Sequence, residues 1–156
     1  DILSDYGGFR DMQRHRLLTI DWQSLTPYHG YEVPEDIKEC GLTDKYVSAL
    51  ERSKDLYEVM REAFPEQASY AVSMAYRIRY VMQFNAREAL HMLELRSQPQ
   101  GHPNYRRVAQ AMYRQIGNVA GHNIVSGMFK FMDLTAAEEG RLQSERSLED
   151  RRENRI

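Results

Sequence analysis

Residues 70–85 read YAVSMAYRIRYVMQFN. Tyr70, Val72, Met74, Tyr76, Ile78, Tyr80, Met82 and Phe84 are apolar, and Ser73, Arg77, Arg79 and Gln83 fall between them. Successive side chains of a strand point to opposite faces, so this period of two predicts a half-buried β-strand from Tyr70 to Phe84. At Asn85 the period changes, because Ala86, Ala89, Leu90 and Leu93 follow the i, i+3, i+4, i+7 spacing of a helix. Asn85 is the expected cap, since its side-chain oxygen can accept from the first free backbone N–H groups. The polar face of the same helix carries Arg87, His91 and Glu94, with Glu88 beside them and Arg96 near its end. A stripe of that composition is a candidate site lining.

Upstream, residues 14–24 read RHRLLTIDWQS. Leu18, Ile20 and Trp22 alternate with Thr19, Asp21 and Gln23, which predicts a second strand, with a short helix over Gly8 to Gln13 leading into Arg14. Residues 25–41 carry Pro27, Gly30, Pro34 and Gly41 and read as a loop with one helical turn at Glu35 to Glu39. A long amphipathic helix is expected from Asp44 to Ala63, with Thr43 as its N-cap and Pro65 closing it. Another helix should begin at Pro103, bury Tyr105, Val108, Met112, Ile116 and Val119, and break at Gly121 before a further helix over Asn123 to Met132.

Strands and helices in this order, without regular βαβ spacing or a Gly-rich phosphate loop, favour an α+β fold. A domain is expected over residues 1–134, followed by a charged C-terminal tail over 135–156, solvated or disordered. The sequence starts at Asp1 rather than methionine, which is the expectation for part of a longer protein.

Composition excludes more than it assigns. The 156 residues are 42% hydrophobic and 28% charged, as in a globular domain with one core. A net charge of −2 gives no general attraction to nucleic acid or an anionic membrane, so an RNA-binding reading of Arg77, Arg79 and the tyrosines is disfavoured. Lysine occurs only at positions 38, 45, 54 and 130, and the other basic residues are arginines, the side chain suited to bidentate phosphate and carboxylate contacts. With Cys40 alone there is no intramolecular disulfide and no cysteine zinc site; no apolar run reaches membrane-span length, and the expected location is cytoplasmic.

Two chemical readings fare poorly. Glu88 and His91 form a Glu-x-x-His pair, but di-iron bundles need two such pairs and two further carboxylates on four helices, so no metal is expected. Cys40 has no evident histidine partner, and Ser24 lacks a Gly-x-Ser-x-Gly elbow. Taken alone, Arg14 and Arg16 read as solvated charges at the carbonyl end of a helix, with His15 half-buried.

Spacing adds a resemblance. Arg14-His15-Arg16, seven residues, then Ser24 resembles the signature of the flavin-dependent, ThyX-type thymidylate synthases. FNAREALHMLELRS at residues 84–97 is similar to that family's second motif, a strand, Asn-x-Arg, an Asn or His four residues on, then Leu-x-Arg. The likeness runs over roughly residues 8 to 132. It implies a mixed sheet wrapped by helices, assembled as a homotetramer with active sites between subunits. It implies that Arg14, His15, Arg16, Asn85, Arg87 and His91 contact FAD, that Ser24 lies at the nucleotide site, and that Arg96 contacts the pyrimidine of dUMP and helps to ionise it. The implied reaction is reductive methylation of dUMP, with methylenetetrahydrofolate as carbon donor and NADPH as reductant of the flavin, and it needs no enzyme nucleophile.

Four positions depart from the family pattern. Trp22 and Thr26 stand where a glutamate and an arginine flank the signature serine, Ser69 stands where a phosphate-binding arginine is expected, and Asp11 replaces a glutamine. Two missing charge-assisted contacts, worth about 1.5 to 3 kcal/mol each, would weaken dUMP binding by orders of magnitude. Arg77, Arg79 and Arg106 are the candidates to replace them. The alternative function is accordingly a divergent homologue that binds a flavin or nucleotide, or serves as an assembly domain, without making dTMP.

Overall fold

The computed structural model of the chain describes residues 1–136 and, beyond them, residues 146 and 150. The rest of the expected tail over 135–156 lies outside the described residues. In order, the elements are β1 (Ile2–Asp5), α1 (Tyr6–Met12), β2 (Leu18–Trp22), α2 (Glu35–Glu39), α3 (Thr43–Ala63), β3 (Arg77–Phe84), α4 (Ala86–Arg96), α5 (Pro103–Asn118) and α6 (Asn123–Gly127). Single 3₁₀ turns occupy Pro27–His29 and Ala68–Ala71. The α+β class expected from sequence is the class observed.

Two compact units share the chain. The first is Asp1–Arg10 with Ile20–Met82, and the second is Asp11–Thr19 with Gln83–Ile156. The division falls within α1, β2 and β3.

The sheet has three strands in the order β1-β3-β2. β1 was not anticipated. It pairs antiparallel with β3, Ile2 opposite Tyr80 and Ser4 opposite Ile78. Its inward residue is Ser4, whose hydroxyl lies 2.9 Å from the Tyr80 hydroxyl in a buried pair. An apolar stripe could not reveal a strand that buries a hydroxyl.

β3 is seven residues shorter than the period of two predicts. Residues 72–76 turn rather than extend, with Val72 N–H donating to Ser69 O and Tyr76 N–H to Ser73 O. Ser53 of α3 supplies the polar partners, accepting from Ser73 N–H at 3.1 Å and donating to Ala71 O at 2.5 Å. Of the alternating residues here, only Val72 and Tyr76 are buried, and they join Leu50, Tyr57 and Ala68 in a core against α3. Tyr70 is 87% exposed. From Ile78 onward the alternation is a true strand, and Ile78 and Tyr80 pack with Phe9 in the first unit's other core.

Smaller differences have local causes. α2 ends in a Schellman motif, Leu42 N–H donating to Ile37 O and Gly41 N–H to Lys38 O, with Gly41 at φ 65°. The chain therefore enters α3 directly, Thr43 is its first residue rather than its cap, and Leu42 holds the cap position. α5 starts at Pro103 as expected, but Val119 is 77% exposed and the face turned inward carries Tyr105, Arg106, Ala109 and Gln110. α6 stops at Gly127, five residues short of the expected end, after Gly121 reverses the chain at φ 68°. Among the described residues no helix is long and apolar enough to cross a membrane.

Candidate functional site

The site candidates cluster in the second unit, on α4 and on the segment that follows α1. Asn85 caps α4 as expected, its Oδ1 accepting from Glu88 N–H at 2.9 Å. A glutamate three residues after an asparagine cap normally reaches back to the cap's own N–H, as in a capping box. Here the Glu88 carboxylate does something else. It is buried, and its Oε1 lies 2.8 Å from Nδ1 of His15, itself only 7% exposed. On the far side of that ring, Arg96 Nε donates to His15 Nε2 at 3.1 Å.

Side chains on a helix lean toward its N-terminus, so Arg96, in the last turn of α4, reaches back along the helix to a ring whose other edge meets Glu88 in the first turn. Both end charges also suit the helix dipole. The Arg96 guanidinium carbon lies 5.5 Å from the centre of the Tyr105 ring, a cation–π contact supplied by α5. Among the described residues, neither terminal nitrogen of Arg96 has a hydrogen-bond partner.

The electrostatics follow from this wiring. Burial, and then the Arg96 charge, push the His15 imidazole below its usual value, and the hydrogen bond and charge of Glu88 offset only part of that. An arginine Nε can only donate, so His15 Nε2 must accept and the ring proton sits on Nδ1, facing the carboxylate. His91 is the exposed neighbour, its Nδ1 3.9 Å from Glu88 Oε2 and its ring edge-on to His15 at 5.2 Å. His15, Glu88 and His91 thus gather three potential metal-ligand atoms within 4.8 Å. The donor pattern does not suit a cation: a metal on His15 Nδ1 would put the ring proton on Nε2, against the Arg96 donor.

The remaining expected residues divide between the units. Arg14 is exposed and pairs with Asp11, one of the positions that departs from the family pattern. Arg16 and Arg87 are exposed, and among the described residues neither has an ion-pair partner. An open groove of about 440 Å³ is lined by Leu17, Leu18, Thr19, Gln83, Phe84 and Asn85, joining the residues just after Arg16 to the cap of α4. The structure therefore brings His15, His91, Arg96 and Glu88 together. Ser24 belongs to the first unit, exposed on the segment after β2.

The three arginines expected to replace missing phosphate contacts are engaged. Arg77 pairs with Glu32 at 3.7 Å and Arg79 with Asp1. Arg106 is buried, donating to Ser97 O at 2.6 Å, Asp133 Oδ1 at 2.9 Å and Thr135 O at 3.0 Å. Glu88 is the residue whose part the sequence concealed. The Asn-x-x-Glu spacing signals a capping box, and nothing local says that the carboxylate goes instead to a histidine 73 positions upstream.

This architecture is shared with solved nucleotide-methylase structures. The UMP/dUMP methylase PolB from Streptomyces cacaoi, bound with 5-Br UMP, superimposes with a TM-score of 0.64 at 15% identity, covering 83% of this chain and 72% of that one. The same enzyme bound with 5-Br dUMP gives 0.65 at 17% identity, covering 83% and 70%. The family model described as thymidylate synthase complementing protein matches residues 6–121, and the chain belongs to that family. It is the ThyX-type family that the two motifs resemble.

Curated relatives include a UPF0159 protein of Chlamydia pneumoniae, 42% identical over 145 residues, and one of Thermoplasma acidophilum, 38% identical over 147. Each match takes in 93% of this chain, but 27% and 29% of the respective relatives. The chain thus spans under a third of the length of these relatives.

Proposed function

We propose that the protein is a flavin-dependent nucleotide methylase of the thymidylate synthase type, converting dUMP to dTMP with methylenetetrahydrofolate and NADPH as co-substrates. The observation that carries this reading is Arg96, held at Nε by His15 and over the ring of Tyr105, with both terminal nitrogens left to donate among the described residues. Two parallel N–H donors suit a pyrimidine carbonyl and stabilise negative charge that develops on the ring as its C5 becomes nucleophilic.

Arg14, Arg16, Asn85, Arg87 and His91 would hold FAD, with His15 behind them. Exposed guanidinium groups suit a pyrophosphate, and amide and imidazole donors suit a flavin ring. Bound and reduced by NADPH, the flavin would supply the hydride that reduces the one-carbon unit to a methyl group once that unit has passed from the folate to C5 of the pyrimidine. Residues 1–134 are the domain in this reading, and the assembly is a homotetramer with shared sites.

A second reading is a divergent homologue that binds a flavin or nucleotide without making dTMP. Trp22, Thr26 and Ser69 favour it, as does the engagement of Arg77, Arg79 and Arg106 with Glu32, Asp1 and Asp133.

One experiment separates the two. The full-length protein is purified, its visible spectrum is recorded for oxidised flavin, and NADPH oxidation with methylenetetrahydrofolate is followed with dUMP, with UMP and with neither. Nucleotide-dependent oxidation with a methylated product is expected. A flavin spectrum without nucleotide response overturns the methylase reading and upholds the second one. Arg87→Ala should release flavin, and unchanged occupancy removes Arg87 from the site.

A further inference from the structure

We infer that Glu88 and His15 are positioning residues that set the orientation of Arg96, a relay in which the histidine of the Arg-His-Arg motif faces inward. The inference rests on the proposed function for the part Arg96 plays.

The relay is fixed by donor and acceptor chemistry. Arg96 Nε donates to His15 Nε2 at 3.1 Å, and His15 Nδ1 lies 2.8 Å from Glu88 Oε1. A carboxylate only accepts and a guanidinium only donates, so a neutral ring with its proton on Nδ1 is the one state that satisfies both contacts. A protonated ring would aim Nε2–H at the Arg96 donor. With both ring nitrogens taken, His15 has no polar atom left for a flavin or a nucleotide, and the role implied by family likeness passes to its neighbours.

Burial makes the relay stiff. Glu88 is 3% exposed, and a buried carboxylate needs its hydrogen bond and a compensating charge. Arg96 is that charge, reached through the ring. A free arginine has several rotatable bonds, and a planar guanidinium fixed at Nε and held over the Tyr105 ring has lost most of them. The directions of its terminal N–H groups are set before any ligand arrives, which is the preorganisation a charge-stabilising donor requires.

The test uses the full-length protein with ¹⁵N-labelled histidine and arginine, and the variants Glu88→Leu, Glu88→Gln, Arg96→Ala and the double variant Glu88→Leu/Arg96→Ala. Expected in the wild type are a proton on His15 Nδ1, an unprotonated Nε2 and a through-bond ¹⁵N–¹⁵N coupling between Arg96 Nε and His15 Nε2. Glu88→Leu should abolish the coupling and lower kcat/KM for the pyrimidine nucleotide by about tenfold to a hundredfold, the scale of a misplaced catalytic group. Glu88→Gln, which keeps an acceptor for Nδ1–H, should recover most of both.

The double variant should be no slower than Arg96→Ala alone, because residues that act through one another are not additive, whereas losses from general unfolding would add. A proton on Nε2 in the wild type, or additive losses in the double variant, overturns the inference. Wild-type protein that shows the coupling but methylates neither dUMP nor UMP sinks the proposed function alone, and the relay then stands on the NMR pattern.

Discussion

The two units bury polarity in different ways. In the first, the buried polar groups are hydroxyls: Tyr76 donates to Leu50 O at 2.7 Å, and Tyr80 pairs with Ser4. Burial pushes both phenols up to about 12, so they stay neutral. The second unit buries His15, Glu88 and Arg106, which carry or can take up charge, together with Ser97 and Gln110. Charged side chains are rarely buried unless paired, so their concentration in one unit separates the part that buries neutral hydroxyls from the part that buries ionisable groups.

Within the second unit, the two central arginines differ in the same sense. Arg106 spends its donors inside the protein, on Ser97, Asp133 and Thr135, and Gln110 adds bonds to Asp133 O and Thr135 O. Together with Glu94, which accepts from the N–H groups of Lys130 and Phe131, this straps residues 130–135 against α4 and α5. Arg96 instead commits one nitrogen and a face. One is a structural clamp, and the other is a held donor.

The largest expected effect breaks the clamp. Arg106→Ala leaves only Thr135 to hold Asp133, whose carboxyl burial pushes up but which Thr135 and the Arg106 charge together keep below the usual range. Ser97 O loses a buried donor and the part-buried pair with Asp133 is broken, so urea unfolding should show a loss of about 1.5 to 3 kcal/mol. A loss below about 1 kcal/mol would mean that Arg106 is no more structural than a surface arginine, and the contrast with Arg96 would fail.

Next in size is the pH dependence of the buried histidine. The folded-state value of His15 is lowered from 6.5, so as pH falls the unfolded chain takes up the proton first. The stabilisation is fully present above about pH 6.5 and is lost as pH drops through the folded value, with a slope of at most about 1.4 kcal/mol per pH unit for one proton. Glutamine offers a donor and an acceptor without titrating, so His15→Gln should remove this slope from the difference between wild type and variant, measured by denaturant unfolding from pH 7.5 to 5. A slope that survives the substitution belongs to another group.

How much of this was legible in sequence follows the same divide. Long amphipathic patterns announced α3 and α5, and the change of period at Asn85 announced β3, its junction and α4. The Arg-His-Arg and Asn-x-Arg motifs named most of the residues that meet in the second unit. What stayed hidden was polar burial. Ser4 in β1, Glu88 opposite His15, and Arg106 on the inner face of α5 all break the rule that apolar residues face inward, and each is excused by a partner outside its own element: Tyr80 for Ser4, His15 for Glu88, and Asp133 and Thr135 for Arg106. The seven-residue excess in the expected strand has the opposite cause: Val72 and Tyr76 satisfy period two while packing four residues apart against a helix.

The smallest effect tests the first unit. Tyr80→Phe keeps the ring against Phe9, 4.6 Å away between centroids, and removes only the hydroxyl facing Ser4. Ser4 Oγ retains Asp5 O at 3.3 Å, so no buried donor is stranded and the loss should be about 1 kcal/mol. It should also be flat from pH 5 to 9, because neither the folded nor the unfolded phenol ionises there. Above pH 10 the unfolded tyrosine begins to lose its proton while the folded one, near 12, does not, so the wild type alone is destabilised and the gap should close. A loss that varies with pH around neutrality would place an ionisable partner beside Tyr80 and remove the distinction between a unit that buries neutral hydroxyls and one that buries charge.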